Sequence, residues 1–102
     1  MKKTRRRYLS FCLHSDGSSI DTKQLGTAIW KNLLSIYGEV CAADSKLYLV
    51  QYDEKTGDGI LQCTLSSLDM VITSAVLIGS IGTSLVSFEP KRTSGTIKSI
   101  KR

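Results

Sequence analysis

A single α+β domain of β-α-β-β-α-β order is what this sequence predicts, and three observations carry that prediction. Residues 8–14 alternate in the period of a half-buried strand. Two longer stretches repeat apolar residues at helical spacing, from Leu25 to Tyr37 and from Leu68 to Ile78. Two short β-rich runs lie between those stretches and a third follows the second one. The chain has 102 residues, enough for one core that buries roughly 60–70% of the unfolded surface, so one domain and not a two-domain enzyme is expected. With 41% apolar residues, eight glycines and one proline, the composition is neither disordered nor fibrous.

The first strand, 8–14, places Leu9, Phe11 and Leu13 on one face and Tyr8, Ser10 and Cys12 on the other. Asp16, Gly17, Ser18 and Ser19 form a loop, after which Asp21 and Gln24 make an N-terminal capping pattern. Leu25, Ala28, Ile29, Leu33, Ile36 and Tyr37 then mark the buried face of the first helix, which stops at Gly38. Runs 46–52 and 59–65 are strands joined by the polar loop 53–58, a hairpin. Ser66 and Asp69 cap the second helix, carried by Leu68, Val71, Ile72, Ala75, Val76 and Ile78 to Gly79. A last strand, 83–88, is expected to end at Pro90. This order is the split βαβ arrangement of ferredoxin-like and RNA-recognition-motif-like sandwiches: a four-stranded antiparallel sheet with both helices on one face. In the tail, Ile97 and Ile100 at i, i+3 suggest a short helical turn displaying Lys98, Lys101 and Arg102. The expected organisation is a basic arm at 1–7, the domain at 8–90 and a basic segment at 91–102.

The uncharged stretch 70–88 is 19 residues long, near the length of a membrane span. Eight of the 19 are Ser, Thr or Gly, and Gly79 and Gly82 fall in its middle, so a helix, a turn and a strand account for it better. The apolar stretch after the basic start is only six residues long, too short for a secretion signal. Cys12, Cys41 and Cys63 are odd in number and widely spaced, which indicates neither a disulfide framework nor a CxxC metal site. A reducing compartment is expected, cytoplasmic or, in a eukaryote, nuclear.

Residues suited to catalysis are scarce. His14 is the sole histidine, and no second histidine or carboxylate pair accompanies it to form a metal site or acid–base couple. No catalytic residue, metal or cofactor is expected. The motif Gly79-Ser80-Ile81-Gly82 matches a bare GxxG, but it lacks a cation and a strand follows, so a helix cap and turn is the expectation. On the open sheet face the first strand offers Tyr8, whereas the third offers Ile60, Gln62 and Thr64 and no aromatic. Base stacking there is not expected. Tyr48 and Tyr52 are expected on one side of the second strand, for core packing or contact with a ribose.

The charges point to function more directly. Each end, 1–7 and 91–102, holds five cations and no acid. Residues 8–90 hold the other four cations and all nine acids, so ends of +10 and a body of −5 give the net +5. In the expected topology the start of the first strand lies beside the end of the last, which gathers Arg5, Arg6, Arg7, Lys91 and Arg92 into one anion-binding edge. The second helix carries no cation on its outward side, and Thr73, Ser74, Leu77 and Ser80 suggest a surface covered by a protein partner.

Several segments together resemble a known family. They are Arg6-Arg7-Tyr8-Leu9, Ala28-Ile29-Trp30 with Tyr37-Gly38-Glu39, Gly59-Ile60-Leu61-Gln62-Cys63, and above all the closing Ser94-Gly95-Thr96-Ile97-Lys98. The chain resembles, from about residue 5 to its end, the small protein subunit of archaeal and eukaryotic ribonuclease P, the component 2 family. Its short C-terminus is more like the archaeal members, and it departs from the pattern at Gln62, where a cation is expected before the cysteine. The resemblance implies a subunit that supports a catalytic RNA in removing the 5′ leader from precursor tRNA. It also implies pairing with a larger TIM-barrel-like protein subunit, two such pairs forming a heterotetramer. On this analogy Arg5, Arg6, Arg7, Lys91, Arg92 and Lys98 contact RNA, with Lys101 and Arg102 completing the C-terminal set. The rival expectations are a ferredoxin-like regulatory module that binds a small metabolite as a dimer, and a stand-alone nuclease.

Overall fold

The computed structural model of the chain describes residues 5–16 and 20–96. Strand β1 (Arg6–Ser15) leads to helix α1 (Thr22–Tyr37) and a one-and-a-half-turn helix α2 (Glu39–Asp44). Strands β2 (Tyr48–Tyr52) and β3 (Asp58–Thr64) form a hairpin, followed by a 3-10 turn at Leu65–Ser67 and helix α3 (Leu68–Val76). A two-residue strand β4 (Ser80–Ile81) precedes the long strand β5 (Ser84–Ser94). All pairings are antiparallel, in the order β2-β3-β1-β5-β4. The sheet thus has five strands, not the expected four. The fifth is β4, which turns back through Gly82 and Thr83 so that Ser80 faces Leu85 and Ile81 faces Ser84. Gly82, at φ +62°, supplies the left-handed backbone of this two-residue turn. Gly79-Ser80-Ile81-Gly82 is therefore a strand and turn, and the helix before it ends earlier, at a Leu77 cap. No helix among the described residues is long and apolar enough to cross a membrane.

Core formation follows the alternation of β1. Leu9, Phe11 and Leu13 are buried with Leu61 and Cys63 of β3, Val86 and Phe88 of β5, Leu25, Ile29 and Leu33 of α1, and Val71 and Ala75 of α3. Both longer helices thus pack on one face of the sheet. The Asp21 carboxylate accepts the Gln24 N–H at 2.7 Å while the Gln24 side chain accepts the Asp21 N–H at 3.1 Å, the expected capping box of α1. The Asn32 amide of α1 donates to the Ser74 carbonyl of α3 at 2.6 Å and ties the two helices together.

Across the covered face, Tyr52 and Phe11 both stand opposite Gly59. Their rings lean into the space left by the missing side chain and stack with centroids 6.3 Å apart, and Phe88 stacks on Phe11 at 4.7 Å. A Cβ at Gly59 would lie 2.8 Å from the Gln51 carbonyl and collide with the Phe11 ring, so this close approach requires glycine.

Two strands are irregular. In β2 the register passes from Leu49–Leu61 directly to Gln51–Ile60, leaving Val50 as a bulge. In β5 it passes from Ser10–Arg92 to Phe11–Pro90, leaving Lys91 as a bulge. The last strand consequently does not end at Pro90. A proline, which has no N–H to donate, is tolerated next to the bulge, and the strand continues to Ser94. At the other strand ends, Lys46 adopts a left-handed φ of 52°, which delays β2 to Tyr48, and Leu65 enters the 3-10 turn. That turn moves the helix cap to Ser67, with no side-chain capping bond from it. The expected helical turn in the tail falls on residues outside those described.

Candidate nucleic-acid interface

Strand pairing assembles the basic edge. Arg6 and Arg7 face Thr64 and Cys63 of β3, and Tyr8 lies between Gln62 of β3 and Ser94 of β5. The Arg5 carbonyl accepts the Leu65 N–H at 2.7 Å, which fixes the entry into β1. Arg7 is half-buried; its Nη1 donates to the Arg6 carbonyl at 3.2 Å and rests against Gly95, where a Cβ would lie 2.9 Å away. The close approach of β1 and β5 thus brings the start of one basic segment against the end of the other. Register neighbours of Arg6 and Arg7 are uncharged, so their positive potential is not cancelled locally.

Lys91 and Arg92 are exposed but precede that contact on β5, Lys91 in the bulge and Arg92 beside it. Arg92 stands opposite Ser10, whose hydroxyl donates to the Arg92 carbonyl at 3.5 Å, on the face that carries Tyr8. Lys91, in the bulge, sits close enough to Glu89 to help hold that carboxyl below the usual glutamate range. The larger cause is His14, whose Nε2 lies 2.8 Å from Glu89 Oε1. Of the expected RNA-contact residues, Arg5, Arg6 and Arg7 therefore share the end of the sheet where β1 begins, Arg92 lies on the open face beyond Tyr8, and Lys91 borders an acidic end. Lys98, Lys101 and Arg102 fall outside the described residues.

That acidic end is built by Asp58 and Glu89, which stand on either side of Cys12. The Cys12 thiol is pushed up first by burial and then by the charge and hydrogen bond of Asp58. Cys63, beneath the helices, is pushed up to about 11 by burial alone, the behaviour of an inert buried thiol. Among the described residues no cluster of three His, Cys, Asp or Glu side chains is arranged to hold a metal ion.

The Val50 bulge changes the open face. Because it inserts one residue, Tyr48 and Tyr52 lie on opposite sides of the sheet and not on one side. Tyr52 packs on the core, and Tyr48 is 62% exposed opposite Gln62. Gln62 therefore lies between Tyr48 and Tyr8 in one row across β2, β3 and β1. Strict alternation in the sequence conceals this row, and only an extra residue opposite a known partner reveals it.

The expected protein-facing surface needs one correction. Ser74 is fully buried between α3 and α1, with its Oγ unpartnered, and it cannot meet another protein. Thr73, Leu77 and Ser80 are exposed, and Val76 and Leu85 join them as exposed apolar residues. Leu77 and Ser80 border an open groove of about 830 Å³ between α1 and the β4 turn, shared with Lys31 and Asn32.

Residues 7–102 match the model of the Rpp14/Pop5 family. The chain belongs to the Rpp14/Pop5 family. Ribonuclease P protein component 2 of Archaeoglobus fulgidus is 34% identical over 100 residues, covering 98% of this chain and 88% of that protein. The component 2 protein of Pyrococcus furiosus is 31% identical over 100 residues, covering 98% and 82%. The resemblance read from the closing motif and the strand segments thus holds over nearly the whole chain. A chain in the cryo-EM structure of yeast ribonuclease MRP shares the fold at a TM-score of 0.71 and 13% identity, covering 94% of this chain and 78% of that one.

Proposed function

We infer that the chain is a protein subunit of ribonuclease P that supports the catalytic RNA in removing the 5′ leader from precursor tRNA. The observation that carries this reading is the full-length match to the component 2 proteins of the Rpp14/Pop5 family. The geometry supports it: Arg5, Arg6 and Arg7 gather where β1 begins, and Arg92 lies on the open face beyond Tyr8. The RNA supplies the reaction in this reading, and the protein neutralises phosphates and fixes the RNA fold. Lys98, Lys101 and Arg102 are further RNA-contact candidates by charge and motif position alone, and Lys91 contributes less because Glu89 is beside it.

A larger protein subunit docks, in the same reading, on the exposed surface formed by Thr73, Val76, Leu77, Ser80 and Leu85, and two such pairs form a heterotetramer. The strand order β2-β3-β1-β5 supports a ferredoxin-like core to which β4 is an addition. Reconstitution tests the function. Precursor-tRNA cleavage by the RNA with its protein subunits should require this chain, and replacing Arg5, Arg6 and Arg7 with Ala should lower its RNA affinity. For every phosphate that no longer has an arginine partner, the plot of log affinity against log salt should flatten by about 0.9 or less. A triple variant with unchanged affinity and slope would show that the basic edge is not the RNA site.

A further inference from the structure

The open face carries a feature that the basic edge does not explain. Tyr48, Gln62 and Tyr8 are register partners across three neighbouring strands, so their side chains leave the same face with Gln62 in the middle. Two strand spacings separate the tyrosines by roughly 10 Å at the backbone. Tyr48 is 62% exposed although a bulge in its own strand is needed to turn it outward.

Charge along this face is polarised. Arg6 precedes Tyr8 by two residues on β1, and Arg92 stands opposite Ser10, two residues beyond Tyr8. Cations therefore flank the aromatic row on both sides along the strand. One step further, the Cys12 row is bordered by Asp58 and Glu89, which repel a polyanion. A ligand held by Arg6 and Arg92 and confined by those acids has to be anionic, with flat groups to lie against two phenol rings.

We propose that Tyr48, Gln62 and Tyr8 form a stacking subsite for single-stranded RNA. It rests on the RNA-binding reading above and adds to it a preference for unpaired nucleotides. Two splayed bases lie one on each ring, and Arg6 and Arg92 hold the adjoining phosphates. Gln62 offers a donor and an acceptor to a base edge, where a cation would offer only donors. Duplex RNA cannot use the row, because its bases are already stacked on one another.

The test compares a labelled ten-nucleotide single-stranded RNA of mixed A and U with a duplex of the same length, each titrated with the full chain at low salt. Tyr48→Ala should weaken single-strand binding about 5- to 100-fold and leave duplex binding unchanged. Tyr48→Phe should bind like the natural protein, because stacking needs the ring and not the hydroxyl. Tyr8→Leu should weaken single-strand binding in the same sense while keeping the bulk of the half-buried side chain. Circular dichroism of each variant confirms that it is folded. Tyr48→Ala with unchanged single-strand affinity would overturn the subsite, as would an equal loss for both RNAs. If the Arg5, Arg6 and Arg7 variant loses both RNAs while Tyr48→Ala loses neither, the subsite fails and the basic edge stands. If the natural chain binds neither RNA, both readings fail.

Discussion

Two rows of side chains cross the same three strands, one on each face of the sheet. On the covered face Tyr52, Gly59 and Phe11 stand in register, and on the open face Tyr48, Gln62 and Tyr8 do. Each places an aromatic on β2 and another on β1, but the middle residue decides what the rings do. Glycine lets Tyr52 and Phe11 close on each other and enter the core. Glutamine keeps the outer pair apart and leaves Tyr48 exposed. Burial makes the first row a source of stability, whereas exposure makes the second available to a ligand.

The comparison breaks most visibly at Phe11. Phe11→Ala removes the ring that joins Tyr52 to Phe88 and should cost about 3–5 kcal/mol in urea unfolding. A cost below about 1 kcal/mol would mean that the covered row is not part of the core. Next in size is Gly59→Ala, whose new methyl must displace the Phe11 ring and crowd the Gln51 carbonyl. An expected loss of about 1–3 kcal/mol should appear in the same measurement. The corresponding change in the open row, Gln62→Ala, lacks such a clash and should shift the midpoint by much less than Gly59→Ala does.

Tyr48→Ala should move unfolding stability by no more than about 0.5 kcal/mol, in keeping with its separate effect on RNA. The smallest effect concerns Glu89, beside His14 at the acidic end of the open face. Its folded-state carboxyl titrates below the usual range, so the pair contributes above the unfolded glutamate value and loses that contribution as pH falls through the folded one. Glu89→Gln should flatten the acid limb of stability slightly, and its exposed position keeps the change small. Stability measured from pH 3 to 7 would show whether the limb is unchanged, which would remove Glu89 as a contributor.

Much of this architecture is legible in the residues, because period and capping are local signals. The alternation of β1 places Leu9, Phe11 and Leu13 correctly, and Asp21 with Gln24 marks the start of α1. What escapes is set by relationships between strands. A bulge such as Val50 becomes visible only against its partner, so alternation alone puts Tyr48 on the same side of β2 as Tyr52. Pro90 reads as a stop because the Lys91 bulge that accommodates it has no sequence signature. Helix α2 is hidden because Gly38, which reads as a terminator, serves at once as the C-cap of α1 and the N-cap of α2. Ser74 misleads for a different reason: a small polar residue suits a close helix crossing as well as an exposed surface. The basic ends are visible because charge segregation survives in a linear sequence, whereas the bulge that sets Lys91 beside Glu89 is not.

The irregularity of β5 has one further consequence. Short β4 and the Val86 N–H bond to Gly79 cover only the beginning of the outer side of β5, and among the described residues the remainder, to Ser94, has no strand beside it. An uncovered strand of that length is a template on which another unfolded or partly folded chain can add by backbone pairing. Proline removes one of the donors such an intruder needs, and the lysine bulge bends the edge and places a charge on it. The interruption that makes β5 read as ending at Pro90 is thus also its guard against aggregation.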